Sequence, residues 1–462
     1  MAPKFGTSGL RGLVVELTPD LVADHIRAFL AACPTGTGLW VGRDLRPSSP
    51  DLAAVVLQAA RAAGLTTVDC GAVPTPALAL AAMNAGAAAV MVTGSHIPAD
   101  RNGLKFYLPG GEITKADEAA ILAALGTPVA PAPPGPPTRL HSTAGSDWVA
   151  RYVTAFGTNA LAGLRLGIWS HSAVSRDLLV VAVTAMGAEA VELGRSDIFI
   201  PVDTEAVPAA TRAQLAAWAA ASGLDAVLST DGDGDRPLLT DATGRVIPGD
   251  VLGQITAAVL GADTVVTPVS SNSGVEVSGR FARVIRTRIG SPFVIAAMEA
   301  AAPARVVGYE ANGGFLLGFA AEGPAGPLPP LATRDSLLPL LAPLSRARAA
   351  GGLAALVAAE PPRFTASDRL EDIPVTRSQA LIAGFEADGT RLDGFLAALG
   401  EGLATIDHTD GLRVTLRSGR VVHMRPSGNA PEFRLYAEAE APELAAGLLA
   451  QGLTLLRSHL AA

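Results

Sequence analysis

The stretch AAAVMVTGSHIP, residues 87–98, decides the reading of this chain. Its first six residues are apolar and short enough for a buried strand. They run without a break into a polar loop, Thr93-Gly94-Ser95-His96-Ile97-Pro98. Doubly wound α/β sheets bind ligands where buried strands release polar side chains at their carboxyl ends. Ahead of it, residues 21–32 and 51–63 read as helices, the second opened by Ser49-Pro50. Residues 38–42 and 66–69 are short runs bounded by glycine or aspartate and read as strands. The pattern then restarts, with strands at 164–169, 189–193 and 225–229 and a helix at 177–186. A third round covers 264–268, 292–301 and 305–308. Alternation of this kind predicts α/β layers with parallel or mixed sheets.

Punctuation supplies the boundaries. A proline-rich stretch at 127–137 reads as a linker after the first unit, and 324–330 as a surface loop within the third. Beyond Pro361-Pro362 the chain becomes more charged, with alternating apolar residues at 412–416 and 433–437, which predicts a small α+β domain. The expected domains are 1–137, 138–248, 249–362 and 363–462.

Composition narrows the function. The chain has 462 residues, of which 49% are hydrophobic, so it can bury several cores and is not a disordered chain. A net charge of −8 gives no overall attraction for nucleic acid or an anionic membrane. Two cysteines, Cys33 and Cys70, are too few for a disulfide framework or a zinc ribbon. The amino terminus lacks a secretion-signal pattern, and the longest alanine-rich run, 77–92, is interrupted by Asn84 and Gly86. A cytoplasmic location is expected. Lysine is rare, at positions 4, 105 and 115 alone, which draws attention to Lys105 in Asn102-Gly103-Leu104-Lys105 shortly after Ser95.

Other loops carry chemistry too. Asp231-Gly232-Asp233-Gly234-Asp235-Arg236 sets three carboxylates at alternate positions, which repel unless a cation sits among them. Oxygen ligands suit Mg²⁺ or Ca²⁺. An EF-hand is excluded, because its sixth and twelfth positions hold Arg236 and Ala242 instead of Gly and Glu. Gly308-Tyr309-Glu310-Ala311-Asn312-Gly313-Gly314 offers Glu310 and Asn312 to one ligand. Arg425-Pro426-Ser427-Gly428-Asn429 joins a guanidinium, a hydroxyl and flexible backbone donors, a set that suits a phosphate dianion. Gly6-Thr7-Ser8-Gly9-Leu10-Arg11-Gly12 is glycine-rich but lacks the lysine and spacing of a Walker P-loop.

Taken in order, FGTSGLRG, TGSHIPADRNGLK, DGDGDRPLL, GYEANGG and RPSGNAPEFRLYAEA resemble the α-D-phosphohexomutase family, from Phe5 to Glu438. The resemblance implies three related α/β domains with mixed sheets and a smaller C-terminal α+β domain of TATA-binding-protein-like fold, around a central cleft. It implies interconversion of hexose 6-phosphate and hexose 1-phosphate through a phosphoserine and a sugar 1,6-bisphosphate, the bisphosphate also acting as activator. Ser95 would be the phosphoserine and, with Asp231, Asp233 and Asp235, would hold one Mg²⁺. Arg236 and Arg11 would line the reacting phosphate, and Lys105 and His96 would serve proton transfer and positioning. Glu310 and Asn312 would grip sugar hydroxyls, and Arg425, Ser427, Gly428 and Asn429, helped by Arg288, would hold the distal phosphate. The partners implied are small hexose phosphates, with the chain a monomer or weak homodimer.

The sequence departs from the family pattern in its loops. Gly94 and Ile97 stand where Thr-Ala-Ser-His-Asn-Pro has Ala and Asn. Asn312 and Gly314 stand where Gly-Glu-x-Ser-Gly-His has Ser and His, and Asn429-Ala430 replace Thr-Glu. The sugar is therefore less fixed than the chemistry: phosphomannomutase with phosphoglucomutase activity is expected first and phosphoglucosamine mutase second. A sugar phosphatase or a non-catalytic sugar-phosphate-binding protein is the alternative from another class.

Overall fold

The strand expected at 87–92 forms as Ala88–Val92, with all five residues buried. It pairs in parallel with Leu39–Arg43, Val90 opposite Val41, and that strand pairs in parallel with Thr67–Ala72. On its other side lies Arg101–Leu108, antiparallel, with Lys105 opposite Met91. Leu10–Leu13 continues the sheet, placing Arg11 opposite Gly103. Among the described residues the result is a mixed eight-stranded sheet. Helices Pro19–Ala32 and Ser49–Ala62 cover it through Val22, Ile26, Phe29 and Val56, which pack with Val41, Val90 and Phe106 in one apolar cluster. Thr18 caps the first of these helices by accepting from Leu21 N.

This computed structural model describes residues 3–6, 9–127, 133–427 and 431–461. The chain divides into two compact units, Met1–Val265 with Gly290–Val357, and Val266–Ile289 with Ala358–Ala462. Among its described residues the first unit contains two further larger sheets and a two-stranded hairpin. Arg165–Trp169 lies between Glu189–Leu193 and Ala226–Thr230, both parallel to it, and Pro237–Leu239 adds an antiparallel edge. Val306–Tyr309, Phe315–Leu317 and Leu331–Asp335 form an antiparallel run, backed by Gly249–Val259 and Leu337–Ala350. Gly253 belongs to this packing, since a Cβ there would lie 2.3 Å from the Tyr309 ring.

In the second unit an antiparallel sheet takes the order Phe364–Leu370, Phe433–Ala439, Val421–Pro426, Leu412–Leu416, Leu403–Asp407. Leu412, Val414 and Leu416 are buried against Phe385, Phe395 and Leu456 of the covering helices, which accounts for the alternation in the sequence. The expected layering of mixed α/β sheets followed by an α+β tail is the one observed.

Two segments differ from the sequence reading. Residues 101–108, read as part of a polar motif, form a strand with six buried residues. Asn102 is accommodated there because its Nδ2 donates to the hydroxyls of Ser48 and Ser49 at 2.8 and 3.0 Å. The expected surface loop at 324–330 contributes to a small hairpin, Ala321–Glu322 with Pro327–Leu328. Among the described residues no helix is long and apolar enough to cross a membrane.

Asp335 closes its strand beneath Tyr152, which donates to its carboxylate, while Asp335 Oδ1 accepts from Leu337 N at 2.9 Å. Burial pushes this carboxyl up from 3.8 to about 6, against the lowering effect of its hydrogen bonds and Arg151. A raised folded-state value means that stability is fully present below the unfolded value and is lost as pH rises through about 6. The effect at neutral pH is on the order of 3 kcal/mol. Asp335→Asn should therefore gain stability relative to the parent protein as pH rises from 4 to 7. Chemical denaturation at several pH values measures this, and a difference independent of pH would contradict it.

Candidate active site

The loop after Ala88–Val92 is held from beneath by one buried arginine. Arg46 donates through Nη1 to the carbonyls of Pro98 and Arg101 at 2.7 and 3.0 Å, and through Nη2 to those of Ser95 and Ile97 at 2.9 and 2.6 Å. Asp44 accepts from Arg46 Nε at 3.1 Å, from Ser49 Oγ at 2.5 Å and from Thr93 Oγ1 at 2.7 Å. Thr93 Oγ1 in turn accepts from Ser95 N at 2.7 Å. Phe199 lies under the guanidinium, 4.0 Å from ring centroid to Cζ. Gly94 is required by this packing, because a Cβ there would fall 2.7 Å from Arg46 Cζ. Ser95 itself adopts φ 53, a left-handed conformation that disfavours side chains and persists where surrounding contacts enforce it.

The expected carboxylates meet this serine. Asp231, Asp233 and Asp235 turn between Ala226–Thr230 and Pro237–Leu239, all fully buried, with oxygens within 4.8 Å of one another. Ser95 Oγ donates to Asp231 Oδ2 at 2.6 Å. A Cβ at Gly232 would lie 2.8 Å from Ser95 O, so the bare residue permits this approach. Lys105 Nζ contacts Asp233 Oδ2 and Asp235 Oδ2, each at 2.6 Å, and Thr75 Oγ1 donates to Asp233 Oδ2 at 2.7 Å. Burial, then the charges of Asp233 and Asp235, drive Asp231 well above the usual carboxylate range. Burial also raises Asp233 and Asp235, but Lys105 chiefly for the first and Arg334 chiefly for the second more than offset it, so both end lowered. Among the described residues, Asp233 Oδ1 and Asp235 Oδ1 are buried without a hydrogen-bond partner, which fits a hard divalent cation bound by oxygen.

His96 and Arg236 flank the serine. Arg236 Nη1 donates to His96 Nδ1 at 2.9 Å, and that nitrogen lies 3.4 Å from Ser95 Oγ. An Nδ1 that accepts belongs to a neutral ring. Burial, then Arg236 and Arg11, push His96 down to about 2. Loss of solvent and the guanidinium groups of Arg236 and Arg334 push Arg11 down to about 10. Arg11 thus feels the positive charges of Arg236 and Arg334 more strongly than the carboxylates of Asp233 and Asp235, which favours an added anion beside it.

The Glu310 loop belongs to the same unit. Asn312 Oδ1 accepts from Gly314 N at 3.0 Å and Asn312 O from Thr204 Oγ1 at 2.8 Å, so Asn312 shapes the turn. Glu310 is buried, and Arg334 Nη1 lies 3.6 Å from its Oε2. In the second unit, Arg425 Nε donates to Asp410 Oδ2 at 2.8 Å, Arg288 Nε to Thr409 O at 3.3 Å, and Ser427 N to Glu432 O at 2.9 Å. Arg425, Ser427, His408, Asp410 and Gln379 line a cavity of about 400 Å³. Gly428 and Asn429, like Thr7 and Ser8, lie outside the described residues.

The sequence reading did not include Arg46, Thr75, Arg334 or Asp410. Each stands alone in the chain, distant from the motif it serves. Gly94 was the available signal for Arg46, as a departure whose missing Cβ leaves room for the guanidinium. Arg46→Lys retains the charge but not the planar fork that reaches four carbonyls. It should lower stability by about 2–4 kcal/mol and expose 94–101 to limited proteolysis. Unchanged melting and cleavage would contradict this role.

Comparison with known proteins agrees with the geometry. Residues 2–128 match the family model "Phosphoglucomutase/phosphomannomutase, alpha/beta/alpha domain I". Residues 248–364 match domain III, and 374–453 the C-terminal domain. The chain is 47% identical to a phosphomannomutase of Sinorhizobium fredii across all of both chains. It is 42% identical to a phosphomannomutase of Salmonella muenchen, covering 99% of this chain and 96% of that one. The crystal structure of a phosphoglucomutase/phosphomannomutase family protein from Burkholderia thailandensis has the same fold, with TM-score 0.77, 22% identity, and 98% and 97% of the two chains covered. With a buried serine set against three aspartates and full-length relatives of this kind, the chain belongs to the phosphoglucomutase/phosphomannomutase family, the α-D-phosphohexomutases.

Proposed function

We propose that this enzyme interconverts mannose 6-phosphate and mannose 1-phosphate, with glucose phosphates as secondary substrates. The observation that carries the proposal is the 2.6 Å contact of Ser95 Oγ with Asp231 inside a three-carboxylate cluster. The sugar assignment rests on the two relatives named phosphomannomutase.

Ser95 carries the phosphoryl group. In each half-reaction the bond from phosphorus to one oxygen breaks as a bond to the other forms, between Ser95 and a sugar hydroxyl. The proton leaving the sugar hydroxyl ends on Ser95 Oγ when the bisphosphate forms, and the reverse step reloads the serine. Asp231, Asp233 and Asp235, with Ser95, would hold Mg²⁺, which when bound neutralises charge on the phosphoryl oxygens. Arg236 and Arg11 supply fixed positive charge, and phosphoryl transfer depends chiefly on such charge and on alignment. Lys105 holds the acidic loop through Asp233 and Asp235 and, in this reading, shares in proton movement. Neutral His96, fixed by Arg236, positions the serine. Glu310 takes sugar hydroxyls, and Asn312 shapes its loop. Arg425, Ser427 and Arg288, with Gly428 and Asn429, take the phosphate that is not reacting. A trace of sugar 1,6-bisphosphate primes an unphosphorylated Ser95. Both cysteines are buried and unpaired, which suits a cytoplasmic enzyme.

Ser95→Ala should abolish turnover, at least about 10⁴-fold, while melting near the parent temperature. Labelled sugar 1,6-bisphosphate should phosphorylate the parent protein and not the variant. Retained activity or labelling in the variant would overturn the assignment. Mannose 1-phosphate should give the highest kcat/KM, whereas a preference for glucosamine 1-phosphate would select the phosphoglucosamine mutase reading.

A further inference from the structure

Gly314 and Arg334 are fitted to each other. A Cβ on Gly314 would stand 3.0 Å from Arg334 Cδ, 3.1 Å from Cγ and 3.2 Å from Asn312 Oδ1. The arginine's aliphatic stem thus passes over the loop where position 314 carries no side chain. Arg334 comes from Leu331–Asp335 and is buried. Its Nη2 lies 3.1 Å from Asp235 Oδ2, Nη1 3.6 Å from Glu310 Oε2, and Nε 3.7 Å from Glu112 Oε1. Among the described residues, Glu310 Oε2 has no hydrogen-bond partner, and it is buried.

We propose that Arg334 is the positioning residue that ties the sugar-recognition carboxylate of Glu310 to the acidic loop at Asp235, and that Gly314 is bare to admit it. The proposal rests on the mutase reading and adds a residue to it. Three carboxylates from separate elements face one guanidinium; without it they would repel one another in a site with little water. The planar fork addresses Asp235 and Glu310 from different nitrogens, which a single ammonium does less well. Glu112 is held as well, its Oε1 accepting from Arg334 N at 3.3 Å and Thr333 Oγ1 at 3.1 Å. A Glu310 released from Arg334 would lose its set orientation toward sugar hydroxyls, which weakens binding of the substrate more than the transfer itself.

The test is a double-mutant cycle on the full-length enzyme with Mg²⁺, sugar 1,6-bisphosphate and mannose 1-phosphate. Arg334→Met should raise KM about tenfold or more with a smaller fall in kcat, and Arg334→Lys should recover part of the KM loss. Gly314→Ala should raise KM about threefold in the parent, because the stem must move by a few tenths of an ångström, and should add little in Arg334→Met. A parent-like KM in Arg334→Met, or a Gly314→Ala effect that is the same in both backgrounds, would overturn the proposal. Should Arg334→Met fail to fold, Arg334→Lys with Gly314→Ala forms the same cycle and reads the same coupling. A parent protein that turns over no hexose phosphate refutes the mutase reading instead, so the two failures are distinct.

Discussion

Burying Asp231, Asp233 and Asp235 within 4.8 Å of one another is the constraint on which the first unit depends. Such a group is tolerated only when cations and donors reach it from elsewhere. Lys105 arrives from the antiparallel strand beside Ala88–Val92, Thr75 from the start of a helix, Ser95 from a strained turn and Arg334 from the antiparallel run that follows the Glu310 loop. The acidic hairpin thereby ties together segments from Thr75 to Arg334. The same demand that organises the fold supplies charge where a phosphoryl group would be handled.

Much of this was legible in the sequence because the chemistry is concentrated in contiguous loops. TGSHIP and DGDGDR announce themselves by composition and by the apolar runs before them, and the structure brings Ser95 and Asp231 together. The parallel strands were readable for the same reason, since buried runs such as 87–92 carry no polar interruptions. Residues 101–108 hid their strand because Asn102 and Lys105 look exposed until their partners, Ser48, Ser49, Asp233 and Asp235, are known. Hydrophobic patterning cannot anticipate polar groups that are satisfied by distant segments.

The residues that escaped the sequence reading share a physical type. Arg46, Arg334 and Asp410 act through single side chains, most of whose partners lie far off in the sequence. Two of them nevertheless leave a mark elsewhere, in the glycines whose missing side chains make room. Gly94 accommodates the Arg46 guanidinium and Gly314 the Arg334 stem. In the second unit, Asp410 lines a cavity with Arg425 and accepts from Arg425 Nε and from Ile289 N at 3.1 Å, contacts set by tertiary packing alone.

The buried aspartates, completed by Ser95, would form one cation site. Calorimetric titration of Mg²⁺ into the unphosphorylated protein, compared with Asp231→Asn, Asp233→Asn and Asp235→Asn, reads this binding without any need for turnover. One Mg²⁺ should bind the parent protein, and each substitution should weaken it by about 100-fold or more, since a hard cation depends on charged oxygen ligands. Absence of binding to the parent, or unchanged affinity in all three variants, would contradict the account.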